Sequence, residues 1–216
     1  MNPNVSDKVS QFFSKYPQRT YSKGQMLIFE GEEPKYVFYI VSGRVREYDV
    51  SYRGDEVIVN IFKPPAFFPM SWAINKTGNQ YFYKAEDDVT VHITPSEDAV
   101  TFLKDNPDVA FDLLSRLYRG LDGLLGRIVH LMSGTARSRI LYEIIVECKR
   151  FGKAGGEGRD ILKVKEVDLA ARTGLTRETV SREIKKMKAV KLITVDHGTI
   201  SIENLEALEN QLGSTI

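Results

Sequence analysis

The apolar positions change period twice along the chain, and each change marks a boundary. Val5, Val9, Phe12, Phe13 and Tyr16 fall at helical spacing, which predicts a short amphipathic helix ended by Pro17. From about Thr20 to Thr94 the pattern becomes short alternating runs broken by turn residues. Gln25–Glu30, Tyr36–Val41 and Arg44–Val50 are followed by Gly31, Ser42-Gly43 and Arg53-Gly54-Asp55. Val57-Ile58-Val59, Ile61-Phe62, Tyr81-Phe82-Tyr83 and Val89–Ile93 complete the set, with Pro64-Pro65 as a stop. Five or more such strands, rich in β-branched and aromatic residues, predict an antiparallel barrel or sandwich.

Beyond Pro95 a helical period takes over. Leu114, Leu117, Leu121, Leu124, Ile128 and Leu131 follow one another at intervals of 3, 4, 3, 4 and 3. That is an a/d seam, the spacing that keeps one apolar stripe facing a partner helix. A second stripe (Leu113, Leu125, Val129, Met132) is expected to pack on the chain's own barrel. One long helix, apolar on two sides, fits a dimer helix; a buried core helix is the plainer alternative. Gly120, Gly123 and Gly126 interrupt it, each at about 1 kcal/mol relative to Ala, so they call for close helix approach or a soft segment. No strand and tight turn precede them, so they are not a phosphate-binding fingerprint. Ser133-Gly134 reads as a hinge, Ala136–Phe151 as an amphipathic helix, and the four glycines of 152–158 as a flexible loop.

Lys165–Leu192 carries the most specific chemistry. A short helix with Val167, Leu169 and Ala170 ends at Thr173-Gly174, where glycine supplies the positive φ of a tight helix end. Thr176 stands at the N-cap of the next helix. There Val180, Ile184 and Met187 define a buried stripe and Arg177, Glu178, Ser181, Arg182 and Lys185 the exposed face. Arg matches guanine O6 and N7, Glu accepts from cytosine N4, and Ser bonds to base or phosphate. These residues occupy the first turns, the part of a recognition helix that reaches base edges. A solvated face on an ordinary helix is the bland alternative. Ile193–Val195 and Ile200–Ile202, turning at Asp196–Gly198, predict a hairpin and hence a winged helix-turn-helix; His197 reads as a loop or phosphate-side residue.

Charge sharpens this picture. The 216 residues hold 30 Lys+Arg and 29 Asp+Glu, a net +1 that is silent as a total. Thr173–Lys191, with six basic and two acidic residues, carries +4, the electrostatic footprint of phosphate binding. The single Cys148 excludes an internal disulfide and any site needing several thiolates, and reads as a buried small hydrophobe. His92, His130 and His197 are too scattered for a His-rich metal site, so no metal is expected. No apolar run reaches the ~18 residues of a membrane span, and the first residues lack a signal-peptide pattern; a cytoplasmic protein with no membrane partner is expected. No catalytic spacing stands out, so an enzyme is not expected.

Arg177-Glu178-Thr179-Val180-Ser181-Arg182 resembles the recognition helix of the CRP/FNR family of bacterial transcription regulators. Gly31-Glu32 and Ser42-Gly43 resemble that family's β-roll turns, and Asn106-Pro107-Asp108 the opening of its long helix, so the likeness covers nearly the whole chain. It implies an α+β architecture: an N-terminal antiparallel β-roll of the cyclic-nucleotide-binding kind, a long dimerisation helix and a C-terminal winged helix-turn-helix. The expected divisions are 1–105, 106–133 and 134–216. It further implies a homodimer on palindromic double-stranded DNA with a TGA-like core, Arg177, Glu178 and Arg182 as base readers, and Ser181 at a position FNR-like members also use. RNA polymerase is the expected protein partner.

The chain departs from the cyclic-AMP-binding members. Pro69-Met70 stands where they carry Gly-Glu, Asn79-Gln80 where they carry Arg-Ser, and Leu124-Leu125 where they carry Thr-Ser. Proline lacks an N–H for a phosphate, Met cannot accept a ribose hydroxyl, and neither Asn79 nor Gln80 is cationic. Cyclic AMP is therefore not expected as a ligand. Haem, for which only a lone His92 or His130 is on hand, and an iron–sulfur cluster are disfavoured as well. Two readings of the nearby aromatic set stay open. Phe68, Met70, Trp72, Tyr81 and Tyr83, with Leu124, line a pocket for an unidentified small-molecule effector, or, with Phe67 and Phe82, they fill the former site. A ligand-sensing module that acts mainly through protein contacts, with weak DNA binding, is the alternative function.

Overall fold

A computed structural model gives the fold and describes residues 3–154, 160–196 and 199–212. The chain divides into two compact units, Met1–Tyr118 and Arg119–Ile216. The glycine-rich loop expected at 152–158 and the hairpin turn with His197 and Gly198 fall largely outside the described residues.

The first unit opens with α1 (Pro3–Phe13), then β1 (Gln18–Tyr21), β2 (Met26–Ile28), β3 (Tyr36–Ser42), β4 (Val45–Val50), β5 (Glu56–Phe62) and β6 (Phe67–Phe68). The short α2 (Met70–Asn75), β7 (Phe82–Ala85), β8 (Val89–Pro95) and α3 (Ser96–Asp105) complete it before α4 (Pro107–Ser133) begins. Two antiparallel sheets, ordered β1-β8-β3-β6 and β2-β7-β4-β5, form the β-roll. β3 shows how alternation builds two cores at once. Val37 and Tyr39 join α1 and α3 residues in one cluster, while Phe38 and Ile40 face the roll interior. Phe13 stacks on Tyr39 at 4.8 Å and Phe12 on Phe102 at 4.0 Å, which binds the terminal helices to the sheet.

The two runs read at Val57–Val59 and Ile61-Phe62 are one strand, β5. Opposite it the register passes from Glu47↔Asn60 to Tyr48↔Ile58, leaving Val59 unopposed. That bulge breaks the period-two pattern and makes a continuous strand look like two. β1, whose first residues are polar, and β6 and α2, which are apolar but only two and six residues long, have no periodic signal to predict them.

The second unit contains the rest of α4, then α5 (Ala136–Phe151), β9 (Lys153–Ala154), β10 (Asp160–Lys163), α6 (Glu166–Thr173), α7 (Arg177–Ala189), β11 (Thr194–Asp196), β12 (Thr199–Ile202) and α8 (Leu205–Leu212). Thr135 caps α5, its hydroxyl accepting from the Ser138 N–H at 3.2 Å. The strands order β11-β12-β10-β9, so the expected hairpin gains β10 as a partner. Ile140, Ile144, Leu169, Val180, Ile184 and Met187 belong to one buried cluster that joins α5, α6 and α7, and Cys148 is buried in it.

On α4 the seam residues Leu114, Leu117, Leu121, Leu124 and Ile128 are exposed and Leu131 half-buried. The second stripe corrects its expectation. Leu113 packs on the first unit's core, but Leu125, Val129 and Met132, which belong to the second unit, are exposed. Among the described residues no helix is long and apolar enough to cross a membrane.

Candidate nucleic-acid interface

The site is built from a turn that two residues dictate. α6 ends on Gly174, whose φ of 64° lies in the left-handed region, and α7 starts after Thr176. The Thr176 hydroxyl accepts from the Thr179 N–H at 3.3 Å, satisfying one open donor of the helix start. α7 buries Val180, Ile184 and Met187, which orients the opposite side outward. Its other end closes in a Schellman arrangement: Leu192 N–H donates to Met187 O and Lys191 N–H to Lys188 O, both at 3.0 Å, with Lys191 at φ 57°.

Arg177, Glu178, Arg182 and Lys185 are exposed and Ser181 is half-buried. Together with Glu166, Lys186 and Ala189 these five line an open concavity of about 680 Å³. All five side chains predicted on the reading face thus meet on one surface, and Thr176 sits at its edge as the cap. The carboxyl of Glu178 is held below its ordinary range, first by its own backbone N–H and then by the Thr176 hydroxyl, so it stays an acceptor. Lys186 is partly spent on Glu183, 2.7 Å away.

Beneath this surface lies a set of buried charges that sequence reasoning missed. Glu143 and Glu147 are buried on α5; Glu143 pairs with Arg127 of α4, and Glu147 with Arg172 of α6. The available signal was the pair of glutamates four apart among Ile140, Ile144 and Cys148, on a helix side that is otherwise apolar.

The proposed effector set does not assemble as one pocket. Phe68 and Tyr83 stack at 5.1 Å inside the roll, with Phe62 4.9 Å from Phe68 and Tyr81 partly buried beside them. Met70 and Trp72, on α2, pack instead against the α1–α3 core, and Lys76 lies over the Trp72 ring at 4.9 Å. Leu124 is exposed and belongs to the second unit. The helical turn of α2 is the cause, since it carries Met70 and Trp72 to a different core from Phe68. Within the roll the Tyr83 hydroxyl donates to Glu47 at 2.8 Å, and burial pushes both groups above their ordinary pKa ranges. Glu47 was also missed, although it alternates with the inward-facing Val45.

The residues at the resemblance's nucleotide positions serve the fold. Pro69 is buried at the start of α2. Asn79 is buried, its amide donating to the carbonyls of Phe29 at 2.9 Å and Tyr81 at 2.6 Å, while Gln80 is exposed. His92 Nδ1 lies 2.9 Å from the Tyr16 carbonyl, and the His130 ring packs on Tyr142 at 4.8 Å. Among the described residues no cluster of three His, Cys, Asp or Glu side chains is arranged to hold a metal ion.

Two family models match the chain: a cyclic nucleotide-binding domain over residues 18–106 and a Crp-like helix-turn-helix domain over residues 138–211. The chain belongs to the CRP/FNR family. It is a DNA-binding transcription regulator and not an enzyme. Among CRP/FNR relatives it is similar to the global nitrogen regulator of Synechocystis sp. (strain ATCC 27184 / PCC 6803 / Kazusa), at 24% identity over 89% of this chain and 87% of that one. The cyclic AMP receptor protein of Thermus thermophilus is 23% identical over 94% and 91%. Among solved structures, a CooA mutant from Carboxydothermus hydrogenoformans shares the fold with a TM-score of 0.78 at 24% identity, covering 94% and 90%.

Proposed function

We propose that this CRP/FNR regulator works as a homodimer through the exposed α4 seam and reads palindromic DNA with a TGA-like core. Arg177, Glu178 and Arg182 are the base readers, with Ser181 beside them, and Lys185 and Thr176 face the backbone. The observation that carries this reading is the convergence of the exposed residues of α7 on one concave, basic surface. The exposed apolar ridge Leu114–Ile128, too long to leave in water, supports the dimer. Two recognition helices in a symmetric dimer meet half-sites about 34 Å apart, one helical turn of DNA. On this reading 1–105 is an effector-type domain, 106–133 the dimerisation helix and 134–216 the DNA-binding domain.

The effector is something other than cyclic AMP, or there is none. Asn79 spends its amide on two carbonyls, Pro69 has no N–H to give, and the stacked Phe68 and Tyr83 occupy the roll interior. RNA polymerase is the protein partner the family implies, and the cytoplasm the setting.

Titration of duplex DNA at several salt concentrations tests the reading. Arg177→Ala and Arg182→Ala should each cost about 1–3 kcal/mol and relax base preference. Equal, base-selective binding by wild type and both variants overturns the assignment of readers, whereas weak binding without base preference by all three favours an output through protein contacts.

A further inference from the structure

α5 docks on α4 through a notch that glycine creates. A Cβ built on Gly126 would stand 2.9 Å and 3.0 Å from Cζ and Cε2 of Tyr142, so only glycine admits the ring there. The Tyr142 hydroxyl donates to the Gly123 carbonyl at 2.6 Å, and its ring packs on His130. Beside it Arg127 grips the buried Glu143, with Nη2 to Oε2 at 3.1 Å, and about one turn along Arg139 Nη2 donates to the Leu131 carbonyl at 2.8 Å. Of the three α4 glycines, Gly126 alone has this need, since a Cβ at Gly120 or Gly123 meets no other part of the described residues within 4 Å.

The position of this contact on α4 is informative. Gly123, Gly126, Arg127 and His130 share one face, whereas the seam uses Leu121, Leu124, Ile128 and Leu131. At 3.6 residues per turn, Gly126 lies about 200° round the helix from Leu124. The Gly126 notch and the apolar seam therefore lie on different sides of α4, with Arg127 on the flank between them, about 60° from Leu124 and about 40° from Leu131, and the two contacts are available together. A purely apolar helix contact leaves rotation and sliding soft, but a ring in a notch and a buried ion pair each accept one register.

We propose that Tyr142 in the Gly126 notch, with the Arg127–Glu143 pair, is a latch that holds the winged helix at one fixed angle to the second half of α4. Dimerisation through the seam then fixes the distance between two recognition helices, and the latch is what turns two weak half-site contacts into one strong full-site contact. This rests on the dimer reading above.

Anisotropy titrations of the full chain test it, with a paired palindromic duplex selected from a random pool and a duplex carrying one half-site of it. Wild type should favour the paired duplex, since a rigid link raises effective concentration. Gly126→Ala expels the Tyr142 ring and should cut that preference roughly tenfold or more, with half-site affinity and sedimenting mass unchanged. Tyr142→Ala should give the same loss and the double variant no further loss, while Gly120→Ala keeps the wild-type preference. Wild type without a preference overturns the dimer reading and the latch with it. A wild-type preference that survives in Gly126→Ala and Tyr142→Ala overturns the latch alone. So does a loss that falls equally on the half-site duplex, which marks a damaged fold.

Discussion

Arg172 at the end of α6 is ion-paired with Glu147 of α5, and both side chains are almost wholly withdrawn from water. Burial pushes the Glu147 carboxyl above its ordinary range, against the pull of Arg172 and Arg150. Removing one partner leaves a buried charge at the base of the helix-turn-helix. Glu147→Leu should therefore destabilise by about 3–5 kcal/mol, while Glu147→Leu with Arg172→Leu should recover most of the loss. Urea midpoints of the three proteins check this; a double variant no better than the single one excludes the pair as the cause.

The helix-turn-helix was legible in sequence because its determinants are local. Gly174, Thr176 and the Val180–Ile184–Met187 stripe each sit within a few residues of what they shape, and each plays the predicted part. The pairing of Glu147 with Arg172 was not legible, since it needs α5 and α6 to be neighbours, a fact about tertiary packing. The residues of the effector set are spread apart for a related reason. Phe68 and Met70 stand two residues apart in sequence, yet they pack in different cores. Closeness in sequence grouped side chains that the fold separates, and the bulge at Val59 hid a strand whose ends were both in view.

Thr176 caps α7 and borders the reading surface, so its two roles are separable by substitution. Thr176→Ala removes the acceptor of the Thr179 N–H and should cost about 1 kcal/mol of stability. Thr176→Asp restores an acceptor and suits the helix dipole, but places an anion where phosphate is expected. Its urea midpoint should match or exceed wild type while its DNA affinity falls. Unimpaired DNA binding by Thr176→Asp would remove residue 176 from the interface.

Glu47 gives the β-roll a pH signature of defined sign. Burial raises its folded-state pKa, with the Tyr83 hydrogen bond opposing. The folded form thus holds its proton to higher pH than the unfolded chain, for which Glu titrates near 4.3. Its contribution is complete below that value and is lost as pH rises through the raised folded pKa. Glu47→Gln removes the group while keeping an acceptor for Tyr83, so its stability relative to wild type should rise with pH across that window. Chemical denaturation of both proteins at a series of pH values measures the difference, and a difference that is flat or falls with pH refutes the burial account.

Cyclic AMP is the ligand that the matched domain model most readily suggests, and the side chains argue against it. A cyclic phosphate needs a cation and free N–H donors; the ribose needs an acceptor. Asn79 is held between the Phe29 and Tyr81 carbonyls, so freeing it for a ligand would break two hydrogen bonds of a buried side chain. The stacked Phe68 and Tyr83 would also have to part before a purine could enter the roll. Calorimetric titration should show no saturable heat with cyclic AMP up to about millimolar concentration. Saturation at about micromolar concentration or below would show that the roll opens, and would return the nucleotide to the list of effectors.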